Sequence, residues 1–250
     1  MSKPLLRVEG LIKRFGGLVA TNNLSLDVAD GELHALIGPN GAGKTTFISQ
    51  LAGELRQDQG TIHFAGKEIS AWKTPMRVQN GLARSFQITQ LLPDFTALDN
   101  VALGVQARRG HSYHFWVDAR SIADIRNESR HHLDRVGLGA RAEIPVSELS
   151  HGEQKQLELA IALAMSPRLL LLDEPMAGLG TTECVRMIEL LRALKAEVTI
   201  LLVEHDMDAV FALADRISVL VNGERIATGT ADEIRNNEAV RVAYLGEGDA

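Results

Sequence analysis

The chain lacks most of what would tie a protein covalently, anchor it in a bilayer or draw it to nucleic acid. It has one cysteine, Cys184, in 250 residues, so no disulfide can close within it, and a reducing compartment is the simplest setting. Long apolar runs are missing as well. The longest, such as "LLLL" before Asp173, are far too short to span a bilayer. The start, "MSKPLLRVEG", has charges and a glycine where a secretory signal would have an apolar stretch, so no signal peptide is expected. Positive charge is in deficit: 26 Lys and Arg against 32 Asp and Glu give a net charge of −6, which argues against a broad nucleic-acid surface. Repeats, low-complexity tracts and Pro/Gly/Ser linkers are absent too, so the parts should pack as one unit. A protein that is soluble, or meets a membrane only through a partner, is the expectation.

What is present suits a soluble globular chain: 45% hydrophobic residues, and a length that fits one large domain or one domain with a subdomain. Short apolar runs alternate with helical patterns. "LLRVEG", "LSLDVADG" and "ELHALIG" read as strands, the last one buried; "KTTFISQLAG" reads as a helix with Phe47, Ile48 and Leu51 on one face and Gly53 as its stop. "GTIHFAGKEI" reads as a strand and turn, and the stretch from Ala97 to Val136 as helical and polar. "RLLLLDEP" and "VTILLVEHD" read as buried strands flanking the amphipathic helix "TTECVRMIELLRALKA". "ISVLVNGERIATG" reads as a hairpin turning at Asn-Gly. Buried strands separated by helices predict a parallel sheet covered on both faces. The early strands and the hairpin are expected to add an antiparallel layer, and the middle stretch a helical subdomain.

Three motifs carry chemistry. "GPNGAGKTT", Gly38 to Thr46, fits G-x-x-x-x-G-K-[ST] between a predicted strand and a predicted helix, the context in which such a loop cradles nucleotide phosphates. Backbone N–H groups from Asn40 through Gly41, Ala42 and Gly43 to Lys44 can wrap the phosphates, helped by the helix dipole. Lys44 supplies a point charge to the β/γ-phosphates and Thr45 a hydroxyl to Mg²⁺. Asp173 and Glu174 sit where a buried strand runs out, the edge at which open α/β sheets bind ligands. Asp173 fits a hold on Mg²⁺ through its water shell. Glu174 fits a general base for the attacking water. In "ELSHGEQKQLELA", Ser150 and Glu153 form a capping box at a helix start, and Gly152 leaves room for something to approach the backbone.

Together with "ARSFQ" ending at Gln87 and "EHD" containing His205, these motifs resemble in order and spacing the ATP-binding-cassette ATPases, over nearly the whole chain. A finer resemblance, to the cytoplasmic ATPase subunits of branched-chain amino-acid importers, rests on "RFGGLVA", "ARSFQITQLLPDFTALDNVALG", the polar insert after it, "VEHDMDAVFALADRI" and the terminal "YLGE". The resemblance implies an α/β fold: a P-loop NTPase (RecA-like) parallel core with an antiparallel β-subdomain and an α-helical subdomain. Within one domain, residues 1–95 would hold the antiparallel layer and the first part of the core, 96–160 the helical subdomain and 161–250 the rest.

It also implies roles. Phe15 would stack on adenine, though an ordinary aromatic at a strand end fits equally. Gln87 would approach Mg²⁺ and the attacking water on a loop that senses a membrane partner. His205 would contact the γ-phosphate. Ser150, Gly152 and Glu153 would grip the γ-phosphate bound to the phosphate loop of a facing subunit, including Thr46. ATP and Mg²⁺ are the implied cofactors. The implied partners are a second ATPase subunit, identical or related, two transmembrane permease subunits and, indirectly, an external solute-binding protein. The implied location is cytoplasmic, on the inner face of the cell membrane.

Two positions depart from the family pattern. His151 stands where a small residue, commonly glycine, is usual. Gly180 and Thr181 stand where the family has Asp or Asn followed by Pro, a side chain that helps couple the two nucleotide sites. The stretch "QARRGHSYHFWVDAR" (106–120) is basic and aromatic and reads either as a partner surface or as a subdomain with a charged rim. A cassette ATPase acting on DNA or ribosomes, or a binding module of low turnover, is the alternative. The sequence names neither the solute nor the second ATPase chain.

Overall fold

The computed structural model describes residues 3–85, 91–110 and 123–245. Alternating buried and exposed residues build the first two strands, β1 (Leu6–Phe15) and β2 (Leu18–Val28), which pair antiparallel with one face inward. β3 (Leu33–Ile37) is buried at every position, as a strand covered on both faces must be. It runs into the phosphate loop and α1 (Lys44–Ala52), which ends on Gly53 at φ 80° as the sequence predicts. β4 (Gln59–Phe64) pairs with β1, and the short β5 (Lys67–Glu68) pairs with β4. They complete a four-stranded antiparallel sheet in the order β2-β1-β4-β5.

α2 (Thr74–Gln79) leads to β6 (Leu82–Arg84), a three-residue strand that the sequence pattern does not reveal. The polar middle stretch is helical as expected, as α3 (Ala97–Arg109), capped by Thr96, and α4 (Ala123–Arg135). Both pack on α5 (His151–Ala164). Then follow β7 (Leu169–Asp173), α6 (Thr181–Leu194), β8 (Thr199–Val203), α7 (Met207–Leu213), β9 (Arg216–Val221), β10 (Glu224–Gly229), α8 (Ala231–Arg235) and α9 (Glu238–Leu245).

The second sheet has the order β10-β9-β3-β8-β7-β6. It is parallel except for β10, which pairs antiparallel with β9. This corrects one expectation: the C-terminal hairpin belongs to the core sheet and not to the antiparallel layer. The reason is burial. Ile217 to Leu220 are buried, and β9 aligns with β3 from His34↔Arg216 to Ile37↔Val219. The turn itself is as read, with Asn222 and Gly223 at φ 48° and 79°, the pair of positive φ values that a two-residue hairpin needs.

Apolar side chains fill the space on both faces of this sheet. Phe47, Ile48 and Leu51 of α1 pack with Leu36, Leu171, Leu201 and the inner face of the antiparallel sheet. Leu170, Leu172, Ile200 and Leu202 pack against α5 and α6. Each such side chain contributes about 1.5–3 kcal/mol on burial. Arg77, 2% exposed, sits among them and donates to the carbonyls of Gln50 and Leu51 at the end of α1, and to those of Ile69 and Trp72. No helix among the described residues is long and apolar enough to cross a membrane.

Register puts the chemistry on one edge. Leu36 pairs with Val203 and Val203 with Asp173, so β3, β8 and β7 run out together. The next residues are the phosphate loop, Glu204–His205 and Glu174.

Candidate nucleotide site

The phosphate loop is shaped by two close backbone approaches. A Cβ at Gly38 (φ 154°) or at Gly43 (φ 100°) would collide with the carbonyl oxygen of Leu220 or of Ala20 respectively, so only glycine lets the loop pass these strands. α1 starts on Gly43 with no side-chain cap, leaving its first backbone N–H groups to point along the dipole axis. Lys44 is buried, and its Nζ donates to the carbonyls of Gly38 (2.6 Å) and Pro39 (3.0 Å). Residues 40–46 line a cleft of about 300 Å³ together with Phe15, Leu18, Val19, Ala20 and Glu174. The cleft therefore brings together the aromatic, the loop and the second carboxylate singled out from the sequence. Phe15 is 49% exposed, with Lys13 Nζ 5.5 Å from its ring centre.

At the end of β7 the two acids differ. Asp173 is buried, and Arg84 Nη2 donates to its Oδ2 at 2.9 Å. Burial pushes its carboxyl above the usual carboxylate range, and the Arg84 charge pulls the other way. Asp173 Oδ1 is buried without a hydrogen-bond partner among the described residues. Arg84 also donates to Ser49 Oγ of α1 (3.1 Å) and pairs with Glu54, so β6 ties the acid to the phosphate-loop helix. Glu174 is partly exposed and adopts φ 51°, a left-handed backbone that costs a non-glycine residue roughly 1–3 kcal/mol. His205, well exposed, has Nδ1 at 3.9 Å from Glu174 Oε1. Glu204, just before it, is fully buried; burial raises its carboxyl's proton affinity against the backbone N–H groups of Met176, His205 and Asp206.

The α5 start is the capping box read from the sequence: Glu153 N donates to Ser150 Oγ (3.2 Å) and Ser150 N to Glu153 Oε2 (2.9 Å). What approaches Gly152 is already present in the chain. A Cβ there would collide with the carboxylate of Glu183, whose Oε2 accepts from Gly180 N at 3.1 Å. The space over Gly152 thus has an internal occupant, which the sequence reading, with its incoming ligand, did not contain. His151 also reaches the loop that carries the other departure. His151 Nε2 packs over Gly178, 3.2 Å from where a Cβ would stand, in the turn that leads to Gly180.

Ser150, Gly152 and Glu153 line a second cleft, of about 190 Å³, with Gln156, Leu179, Glu183, Arg186 and Met187, distinct from the phosphate-loop cleft. Gln87, residues 111–120 of the basic and aromatic stretch, and Gly246 and Glu247 of "YLGE" lie outside the described residues. The sequence reading missed Arg84, Glu183 and Glu204. The one available hint was a charged residue directly beside a motif in "ARSFQ" and "VEHD". A larger cleft, about 360 Å³, holds none of the motif residues; Arg7, Asp27, His34, Arg216, Ser218 and Arg225 are among those lining it.

Residues 21–177, well over half of the chain, match the family described as ABC transporter, and residues 224–250 match the one described as branched-chain amino acid ATP-binding cassette transporter. Among curated proteins, the chain is similar to the high-affinity branched-chain amino acid transport ATP-binding protein LivG of Salmonella typhimurium: 40% identical, covering 99% of this chain and 100% of that one. BraF of Pseudomonas aeruginosa, described in the same words, is 37% identical over the same shares. Among solved structures, a nucleotide-free ATP-binding cassette from an ABC transporter superposes with a TM-score of 0.86 at 29% identity, covering 96% of this chain and 98% of that one. An ADP conformation of such a cassette gives 0.86 at 28%, covering 98% and 100%. The phosphate loop, the acids at the sheet edge and the match along the whole length agree: the chain belongs to the ABC transporter family, as an ATP-binding-cassette ATPase.

Proposed function

We propose that this ATPase powers an importer of branched-chain amino acids or related small polar solutes, working on the inner face of the cell membrane. In this reading two ATPase subunits, identical or related, pair around ATP and act on two transmembrane permease subunits, which receive solute from an external binding protein. The observation that carries the reading is the division of the site. Phe15, the phosphate loop and Glu174 share one cleft, while the capped start of α5 lines another. Each cleft supplies half of a site that a second chain completes. The full-length similarity to the curated relatives supports the solute class.

The residues fit a divalent ion. The orphaned, buried Asp173 Oδ1 is an acceptor of the right kind, alongside the exposed Thr45 hydroxyl and Gln87. When bound, Mg²⁺ would neutralise charge on the phosphates. The backbone N–H groups of residues 40–44 and Lys44 hold the phosphates in place. Glu174 takes the proton of the attacking water, a contribution of roughly 10²–10⁴-fold. His205 and Gln87 orient the γ-phosphate and the water, and Phe15 stacks on the adenine. Ser150, Gly152 and Glu153 close the site from the facing subunit.

The test is Glu174→Gln. ATP binding is retained, turnover is lost, and ATP shifts the variant to a paired species on gel filtration. Co-purification with two integral membrane proteins and ATP-dependent uptake of a branched-chain amino acid test the transport half. Turnover unchanged in Glu174→Gln removes the assigned base, and capture of ribosomal or DNA-bound partners alone removes the importer.

A further inference from the structure

The fully buried Glu204 has no place among the roles above. Its position is set by the sheet: it is the first residue beyond β8, as Glu174 is the first beyond β7, and the two strands align at Asp173↔Val203. One oxygen of its carboxylate accepts Met176 N at 2.9 Å, and the other accepts His205 N at 3.0 Å. It therefore joins two loops. The first is the turn that opens with Glu174, closed by Ala177 N donating to Glu174 O at 3.1 Å. The second carries His205. Glu174 holds φ 51° immediately before Pro175, a conformation that persists only where its surroundings impose it. On the near side, Glu174 N is fixed to Val203 O at 2.9 Å; on the far side, beside the turn's own Ala177–Glu174 bond, Met176 N is fixed to Glu204.

We infer that Glu204 is a positioning residue for ATP hydrolysis: its buried carboxylate clamps the Glu174–Met176 turn to the His205 loop, so that base and histidine face the phosphate as one unit. It touches no substrate atom and acts through the backbone N–H groups of Met176 and His205, with that of Asp206 also turned toward it. A carboxylate suits the task because it is acceptor-only and can serve two donors at once. An amide of the same shape offers one acceptor oxygen and turns donor hydrogens toward the other N–H. Burial makes the mismatch costly, because water cannot replace the lost partner.

The inference rests on Glu174 as the base, and the test separates the two. In the full chain, Glu204→Gln is expected to lower kcat at least tenfold while changing the affinity for ATP less than twofold. Combined with Glu174→Gln it should lower turnover no further than Glu174→Gln alone, because a residue that acts through the base has nothing left to position. Amide hydrogen exchange at Met176 and His205 should rise together. Glu204→Asp, which keeps the charge but pulls the carboxylate back by one methylene, gives the same pattern more weakly and stands in if Glu204→Gln does not fold. Additive losses, a parallel loss of ATP affinity or unchanged exchange at the two amides would overturn the clamp. If Glu174→Gln alone keeps full turnover, the base assignment fails, and the exchange measurement still decides whether Glu204 holds the turn.

Discussion

Arg84 and Asp173, far apart in sequence, meet in a largely buried ion pair with Nη2 2.9 Å from Oδ2. The aspartate side chain is fully buried and the arginine side chain only 10% exposed, so the aspartate has no route to bulk water. Removing one partner of such a pair leaves an uncompensated charge, at a cost of about 3–5 kcal/mol. Arg84→Ala should therefore lower the chemical-denaturation midpoint by an amount of that order. Arg84→Lys should recover only part of it, because an ammonium cannot span Ser49, Glu54 and Asp173 as the planar guanidinium does. An Arg84→Ala protein as stable as the parent would show that the pair contributes nothing net.

Arg77 tests the support beneath the phosphate loop. Its guanidinium, with a pKa lowered to about 10 by burial, donates to carbonyls on both sides of a junction, Gln50 and Leu51 of α1 and Ile69 before α2. Arg77→Ala strands those acceptors and opens a cavity. It should destabilise the chain by about 3–5 kcal/mol, read from denaturant unfolding, and raise amide exchange in the last turn of α1.

The start of α5 gives a pair of contrasting outcomes. Ser150→Arg should leave ATP binding by the isolated chain intact and abolish ATP-driven pairing in a Glu174→Gln background, measured by gel filtration. Gly152→Ala acts first within the chain, because the new methyl meets Glu183 and pushes its carboxylate off Gly180 N. Glu183→Ala should then restore stability to Gly152→Ala without restoring turnover. Equal loss of ATP binding in monomeric Ser150→Arg would contradict the division of the site between two chains.

The pH dependence of stability should carry the signature of His132. Burial, aided by the nearby Arg135 charge, lowers its pKa from 6.5 to about 4. The unfolded chain thus takes up a proton below about pH 6.5 that the folded chain refuses until about pH 4, so the contribution is complete above the upper value and is lost as pH falls through this window. His34, buried between Glu32 and Ser218, is shifted in the same direction, also by burial first. His132→Gln should shrink the drop in Tm between pH 7.5 and pH 5. An undiminished drop would place the acid sensitivity elsewhere.

Local chemistry was legible from the sequence, and long-range pairing was not. The phosphate loop, the Gly53 stop, the Asn222-Gly223 turn and the Ser150–Glu153 box each close within a few residues, so their spacing states their geometry. "LLLLD" announces a buried strand because only a sheet covered on both faces hides consecutive leucines. Arg84 and Glu204 are different, for Arg84 serves an acid at the end of β7 and Glu204 reaches the turn just beyond that strand, and both meetings are set by register. β6 has too few residues to show a period. The hairpin was assigned to the wrong layer because its own alternation is silent about which sheet β9 joins. Gly152 shows the limit most clearly: the sequence says that something comes close, and only the fold says that Glu183 is there.

The Ser150–Glu153 box is complete within one chain, and this bears on how fast two chains can pair. A helix start that had to fold around its phosphate would make closure wait for an ordering step. Here the first turn of α5 is already wound and capped within the single chain, so the pairing proposed above needs no ordering step at this motif. On that proposal two finished surfaces meet, and closure does not wait on refolding of the motif.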